Sequence, residues 1–170
     1  MMIKKLLTFL TVSGLCGTIF GIFSVQAADV KVTWTEPGKY RDIYSGNQGK
    51  KRFQENTFKA LEKHFLILAK ALPESQLLEI EVFDVDLAGD VHAGGMRDIR
   101  VIKDLYFPRI KFSYKLLNAE KAIILSDNVN LKDMSFMMGI SSKYRNKSLG
   151  YEKKMLDDWF EGAFVDFVMQ

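Results

Sequence analysis

The feature that most constrains the fold is the stretch from Leu77 to Tyr114, in which apolar and polar residues alternate in several short runs. Successive side chains of a strand point to opposite faces, so alternation with a period of two predicts a strand with one buried face. The run from Pro108 to Leu116 alternates most regularly. Further strands are expected from Leu78 to Asp86 and from Ile99 to Ile102. We interpret the whole stretch as the middle of a β-sheet against which the rest of the chain packs.

The expected strand from Leu78 to Asp86 reverses its pattern part-way along. Its apolar residues lie at even positions up to Val82 and at odd positions from Phe83 onward. A regular strand would then turn its apolar side chains from one face of the sheet to the other. The reversal therefore predicts either a β-bulge near Val82–Asp84 or a different cover at each end of the strand. Gly94-Gly95 predicts a flexible turn further along.

Two helices are predicted from a period of 3.6 residues. The apolar residues of Lys51–Leu72 fall on one stripe that ends before Pro73, and those of Tyr151–Phe167 form a second stripe. His64 lies on the flank of the first stripe, where a solvated or capped side chain is expected rather than a ligand. Asp157 is expected on the outer, solvent-facing side of the second helix.

The remaining elements are strands at Val30–Trp34 and Ala122–Val129, and a short helix or turn at Leu131–Gly139. The order is therefore strand, helix, four strands, short helix and long helix. Consecutive strands joined by short turns favour an antiparallel meander. We expect an α+β fold, a two-layer sandwich in which a mainly antiparallel sheet of about five strands carries the helices on one face.

The first 27 residues have the pattern of a signal peptide. Lys4 and Lys5 precede an uncharged apolar run, and Val25-Gln26-Ala27 resembles the small-residue site at which signal peptides are cut. Cleavage after Ala27 would remove 27 of the 170 residues and leave 143, residues 28–170, as a single α+β domain. The alternative is that the apolar run stays attached as a membrane anchor.

Composition excludes several classes of protein. Cys16 is the only cysteine, so the cleaved chain would have neither a disulfide framework nor thiol chemistry. Loss of Lys4 and Lys5 leaves 22 of the 24 basic residues against 21 acidic ones, a net charge of +1, which does not indicate a nucleic-acid partner. No other apolar run is long enough to span a bilayer, so we expect no stable membrane insertion after cleavage.

Several phrases of the sequence occur together in a known family. They are Val32-Thr33-Trp34 followed by Pro37 and Tyr40-Arg41-Asp42-Ile43, then Leu72-Pro73, Asp84 to Asp90, Asp98-Ile99-Arg100-Val101, Pro108 with Phe112, Asn130 to Met134, and Tyr151-Glu152-Lys153 with Asp158-Trp159-Phe160. With these phrases the chain resembles the bacterial family known as domain of unknown function 3016, small exported proteins of Gram-negative bacteria. The resemblance extends over nearly all of the chain after residue 27. It implies a periplasmic location, and it implies no activity, substrate or catalytic residue.

The acidic end of the strand at Leu78–Asp86 is the first candidate site. Its candidate residues are Asp84, Asp86, Asp90, His92 and Asp98. Asp84, Asp86 and Asp90 could hold a divalent cation, or two of these carboxylates could serve a hydrolase as acid and base. An EF-hand loop does not fit, because no carboxylate stands where its last ligand belongs, and a zinc site would need more histidine or cysteine. The competing interpretation is that the aspartates form cross-strand ion pairs with Arg97, Arg100 or Arg109.

A second candidate is a set of tyrosine and arginine residues in the expected loops. The set has the composition of a recognition surface, and its members are Tyr40, Arg41, Tyr106, Phe107, Arg109, Tyr144 and Arg145. In the competing interpretation the tyrosines complete the rim of the core and the arginines neutralise the aspartates.

No motif for a nucleophile or a phosphate-binding loop is present in the sequence, and no cofactor is implied. We therefore expect an exported, periplasmic protein that acts without catalysis, as a binding or accessory protein of the cell envelope. Its expected partner is an envelope protein or a small ligand. The alternative is a carboxylate-based metal-binding protein or hydrolase at Asp84, Asp86 and Asp90.

Overall fold

The computed structural model describes residues 28–46, 49–92, 98–139 and 141–168. Within these ranges the chain forms six strands, three α-helices and a 3₁₀ turn at Pro37–Lys39. In chain order the strands and helices are β1 (Asp29–Trp34), α1 (Lys50–Ala69), β2 (Leu77–Asp86), β3 (Asp90–His92), β4 (Ile99–Val101), β5 (Arg109–Leu117), β6 (Ile123–Lys132), α2 (Ser142–Arg145) and α3 (Gly150–Ala163).

Four of the strands form one sheet in the order β1-β2-β5-β6. β1 runs parallel to β2, with α1 as the crossover between them, and the other two pairings are antiparallel. Rings from both long helices contact Phe112 of β5, namely Phe65 of α1 and Trp159 of α3. Both helices therefore cover the same face, and the expected α+β architecture with helices on one side of the sheet is confirmed.

The core lies between this face and the two helices. Every second residue of β5 from Ile110 to Leu116 is buried, as its alternation predicts. Trp159 packs edge-on against the rings of Phe65, Phe112 and Tyr114, with Phe160 and Phe164 beside it. The opposite face of the sheet carries polar side chains such as Lys31 and Glu79.

The pattern reversal in β2 is a β-bulge. Val82 pairs with Phe112, whereas Asp84 pairs with Lys111, so Phe83 has no directly opposed partner on β5. The extra residue lets Val82 and Val85 both point into the core although they are three positions apart. As a result Asp84 and Asp86 lie away from the core, at the end of the strand.

The expected meander is wrong in one respect, because the short strand at Ile99–Val101 does not join the main sheet. β4 pairs with β3 in a separate two-stranded ribbon, and β2 pairs with β5 along almost its whole length. The nine residues of β5 offer β2 a far longer ladder than the three of β4. The fifth predicted strand also extends further than expected, to Lys132, so only the part of Leu131–Gly139 that follows it forms turns.

Two expectations fall on residues outside the described ranges, the signal peptide at residues 1–27 and the turn at Gly94-Gly95. Within the ranges that are described, no helix combines the length and the apolar character needed to cross a bilayer.

Candidate functional site

The carboxyl end of β2 is flanked by two other chain segments. The segment after the 3₁₀ turn rejoins the sheet beside it, where the Asp42 N–H donates to the Val85 carbonyl and the Leu87 N–H donates to the Asp42 carbonyl, both at 3.2 Å. On the other side Asp86 pairs with Arg109, the first residue of β5. Residues that are far apart in the sequence therefore meet around Asp86.

A cleft of about 610 Å³ opens at this strand end. The main sheet contributes charged groups of both signs, the β3–β4 ribbon contributes carboxylates, and the loop before β5 contributes an apolar and aromatic wall. The cleft is lined by Arg41, Asp42, Tyr44, Asp86, Gly89, Asp90, Val91, Asp98, Leu105, Tyr106, Phe107 and Arg109. Its volume lies within the range of small-molecule sites, about 300–1,000 Å³.

Asp86 lies between two guanidinium groups. Nη1 of Arg41 is 3.6 Å from its carboxylate and Nε of Arg109 is 3.8 Å away, while Arg41 also reaches Asp84 at 3.6 Å. Burial raises the pKa of Asp86 above its ordinary value, and the two arginines oppose that rise. Both distances are longer than a hydrogen bond, so these contacts are ionic and leave terminal N–H groups of the arginines for another acceptor.

Arg100 has a different role, because it fastens the backbone of the strand end. Its guanidinium forms a two-point pair with Asp42, at 2.9 and 3.0 Å, and donates to the carbonyl oxygens of Gly89, at 2.8 Å, and of Tyr44. These acceptors engage both terminal nitrogens. Arg100 therefore does not pair with Asp84 or Asp86, whose arginine partners are Arg41 and Arg109.

The turn after β2 depends on Gly89. This residue has φ of +84°, and a Cβ atom there would lie 2.6 Å from Ile102 Cδ1 and 2.7 Å from the Val101 carbonyl oxygen. Glycine is thus required both by the backbone conformation and by the close approach of β4. From the other side Glu152 of α3 accepts the Ala88 N–H at 2.8 Å. Sequence reasoning missed Glu152, since a glutamate in the first turn of a helix normally faces solvent.

The remaining acidic candidates are not gathered around one point. Nε2 of His92 is 3.8 Å from Asp90, and both side chains are nearly half exposed. Asp98, the residue before β4, lines the cleft. No group of three or more histidine, cysteine, aspartate and glutamate side chains placed to hold a metal ion occurs in the described part of the chain.

The tyrosine and arginine candidates are divided among separate places. Tyr40 is a core residue whose hydroxyl donates to the Val82 carbonyl at 2.7 Å, and burial raises its pKa to about 12. Arg41, Tyr106, Phe107 and Arg109 line the cleft, whereas Tyr144 and Arg145 belong to α2 and do not line it. Arg97 lies outside the described ranges.

A family model described as "Protein of unknown function (DUF3016)" matches residues 28–162. The chain belongs to this family. The resemblance found in the sequence is thereby confirmed, and the model begins where the signal peptide is expected to end. Comparison with curated proteins and with solved structures finds no match.

This DUF3016 protein has a second group of ionisable residues that sequence reasoning did not bring together. His64 of α1 lies 2.6 Å from Asp157 of α3 and 3.1 Å from the Lys153 carbonyl, through the same nitrogen Nε2. Both partners accept, so Nε2 carries a proton. Lys143 donates to the other Asp157 oxygen at 2.6 Å. His64 and Asp157 are both buried, so the expected solvent-facing position of Asp157 is wrong, and His64 is hydrogen-bonded rather than solvated.

Burial explains the protonation state of this second group. It lowers the pKa of His64 below the ordinary value of 6.5, although the nearby Asp157 carboxylate acts in the opposite direction. The Asp157 charge is shared with Lys143, which limits how far it can stabilise an imidazolium. The only sequence signal for this group was position, since His64 falls three residues after the buried Leu61 on the same helix.

Proposed function

We propose that this chain is an exported binding protein of the periplasm that holds a small ligand with charges of both signs in the cleft beside Asp86. The observation that carries the proposal is the distribution of charge around the cleft. Arg41 and Arg109 line the sheet side, where Asp42 and Asp86 already pair with arginines, whereas Asp90 lies in β3 and Asp98 directly precedes β4. A zwitterion such as an amino acid or a short peptide can pair its carboxylate with the arginines and its ammonium group with the aspartates.

The aromatic wall supports a ligand with an apolar part. Leu105 is 71% exposed, and Tyr106 and Phe107 line the cleft beside it. The Phe107 ring also lies 4.2 Å from the Arg109 guanidinium carbon, which fixes that guanidinium at the edge of the cleft. Such a combination of apolar wall and a few placed charges is typical of small-molecule sites.

The charges favour binding over catalysis. Asp86 is neutralised by two arginines and Asp42 by Arg100, so neither carboxylate has the surroundings of an isolated general base. Export is supported by the charged and apolar pattern of residues 1–27, and by the start of both the family match and β1 directly after that segment.

The cleft is tested by NMR titration of residues 28–170 with four probes, namely trialanine, succinate, putrescine and glucose. We expect trialanine to shift the amide resonances of Gly89, Val91 and Tyr106 in a saturable way and more strongly than the other three. Arg109→Gln and Asp90→Asn should each weaken this response. Lys115→Gln, a control on the exposed outer face of the same β5 strand, should leave it unchanged. Absence of any saturable response at the cleft would overturn the proposal.

The metal alternative is tested on the same protein by thermal melting. Calcium, magnesium, manganese and zinc should leave the melting temperature where a chelator leaves it. A bound ion would instead stabilise the fold by mass action, by about 2.7 kcal/mol at a hundredfold excess over its dissociation constant. A saturable gain that disappears in Asp86→Asn would return the metal-binding or hydrolase interpretation to first place.

A further inference from the structure

A second cleft, separate from the one beside Asp86, lies between α1 and α3 over the buried His64–Asp157 pair. Its volume is about 400 Å³, and α2 with the residues that follow it closes one side. Four lysines line it, Lys63, Lys143, Lys147 and Lys153, against one carboxylate, Asp157. With His64 neutral, the cleft carries three positive charges in excess.

The Asp157 carboxylate has no oxygen left to pair with the remaining lysines. Both oxygens of Asp157 are already engaged, one by His64 and one by Lys143, each at 2.6 Å. The Lys153 ammonium donates to the Ser148 carbonyl at 2.7 Å. Lys63 and Lys147 are exposed and form no ion pair with a carboxylate among the residues that the structure describes. Two ammonium groups therefore stand at the rim without a counter-charge from the described chain.

The lysines are close enough to repel one another. The pKa of Lys153 is lowered, chiefly by burial, and the ammonium groups of Lys147 and Lys63 add to the shift against the attraction of Glu152. An anion seated among the three would remove this repulsion.

The cleft also has aliphatic side chains in its lining. Ala60, Ile67 and Leu68 of α1 line it, and Ile67 is 51% exposed. A cleft of this size that is lined both by lysines and by aliphatic side chains matches a ligand with an anionic head and an aliphatic tail. Inorganic anions would use the lysines and leave the aliphatic side chains uncovered.

From this geometry we propose that the cleft between α1 and α3 binds a monomeric anionic amphiphile, a phosphate or carboxylate headgroup held by Lys63, Lys147 and Lys153 with its alkyl chain against Ile67 and Leu68. Free amphiphile and bilayer surface present the same headgroup chemistry. The concave shape of the cleft favours the free molecule, because a lipid would have to leave the bilayer to fill it.

The test uses residues 28–170 and dodecyl phosphate below its micellar concentration, with binding measured by calorimetry and mapped by NMR. Inorganic phosphate and dodecyl maltoside serve as probes for the head and the tail alone. We expect dodecyl phosphate to bind at least about tenfold more tightly than either, because both the lysines and the aliphatic side chains contribute to its affinity. The amide resonances of Ala60, Ile67 and Lys153 should shift, whereas those of Gly89 and Tyr106 should not.

Three variants make the test specific. Lys63→Gln with Lys147→Gln should weaken binding of dodecyl phosphate about tenfold, because both ammonium groups lie within a Debye length of the headgroup. Lys51→Gln with Lys59→Gln removes the same charge from exposed positions of α1 outside the cleft and should have little effect. Ile67→Asn should weaken dodecyl phosphate and leave inorganic phosphate unchanged. All five side chains are exposed, so the folds should be retained.

Two outcomes would overturn the proposal. Equal loss of binding in the two double-lysine variants would mean that general positive charge, not this cleft, attracts the anion. Binding to phosphatidylglycerol vesicles with no saturable binding of monomeric dodecyl phosphate would mean that the lysines face a bilayer surface.

Discussion

Glu152 shows at the scale of one residue how this fold accommodates an ionisable side chain in its core. The residue is 2% exposed, and its pKa is raised, first by burial, while the Ala88 N–H and the Arg100 charge lower it. A carboxylate withdrawn from water costs free energy unless its partners replace the lost hydration. Glu152 has a structural role here, because the hydrogen bond that it accepts from the Ala88 N–H fixes the turn that shapes the cleft beside Asp86.

The first prediction separates the hydrogen bond of Glu152 from its charge. Glu152→Gln keeps an acceptor for the Ala88 N–H and should change the free energy of unfolding at pH 7 by less than about 1 kcal/mol. Glu152→Leu leaves that buried N–H unsatisfied and should cost about 1–3 kcal/mol. Denaturant unfolding measures both. Equal losses for the two variants would show that the charge, rather than the hydrogen bond, holds the turn.

The same pair of proteins gives a pH dependence with a defined sign. Because the folded state raises the pKa of Glu152, it binds the proton more tightly than the unfolded state does. The contribution of Glu152 to stability is therefore full below the ordinary pKa of 4.5 and falls as pH rises through the folded-state value. The stability of Glu152→Gln relative to wild type should accordingly be more favourable at pH 7 than at pH 4.

At the scale of elements, the long regular patterns of the sequence were the predictable ones. β5 buries every second residue, and each long helix buries one face over several turns, so the apolar periodicity of these elements is strong. The bulge in β2 was predictable too, because it reverses that periodicity. The β3–β4 ribbon was not, since three residues are too few to show whether a strand pairs with the sheet or with its neighbour.

The contacts within the candidate sites were less predictable than the regular elements, because they join segments that are distant in the sequence. The contact between Asp86 and Arg109 follows from the pairing of β5 with β2. The sequence does not show where Arg41 lies, because the chain returns to the sheet there only after a 3₁₀ turn. The contact between His64 and Asp157 joins residues 93 positions apart on two helices. Helical periodicity gives the buried face of each helix, but the rotation of one helix against the other is set by packing.

The second prediction tests how α3 is attached to the sheet. Trp159 is half-buried and contacts rings from α1, from β5 and from its own helix, so Trp159→Ala should cost about 3–5 kcal/mol in the free energy of unfolding. Trp159→Phe should cost less, because part of the ring contact remains. Glu161→Ala, at an exposed position of the same helix, should stay within about 0.5 kcal/mol. A loss below about 1 kcal/mol for Trp159→Ala would place this face of α3 outside the core.

At the scale of the whole molecule, the first strand begins directly after the expected cleavage site. Ala28 is only 4% exposed, and the Asp29 N–H donates to the Gln76 carbonyl at 3.1 Å. A chain that begins at Ala28 would thus retain every residue of β1. Both clefts are lined by residues that follow the expected cut, so on the export proposal both ligands would have to be met in the periplasm.

The third prediction concerns that delivery. When the full sequence is expressed in a Gram-negative bacterium, the protein should be found in the periplasmic fraction with an intact mass that begins at Ala28, because Val25 and Ala27 offer small side chains to the signal peptidase. Ala27→Tyr should block the cut and leave a longer, membrane-associated precursor. Gln26→Ser, at the intervening position, should be processed as the wild type is. If the wild type itself keeps residues 1–27 and stays on the membrane at high salt, the apolar run is an anchor, and both clefts act at the membrane surface rather than in free solution.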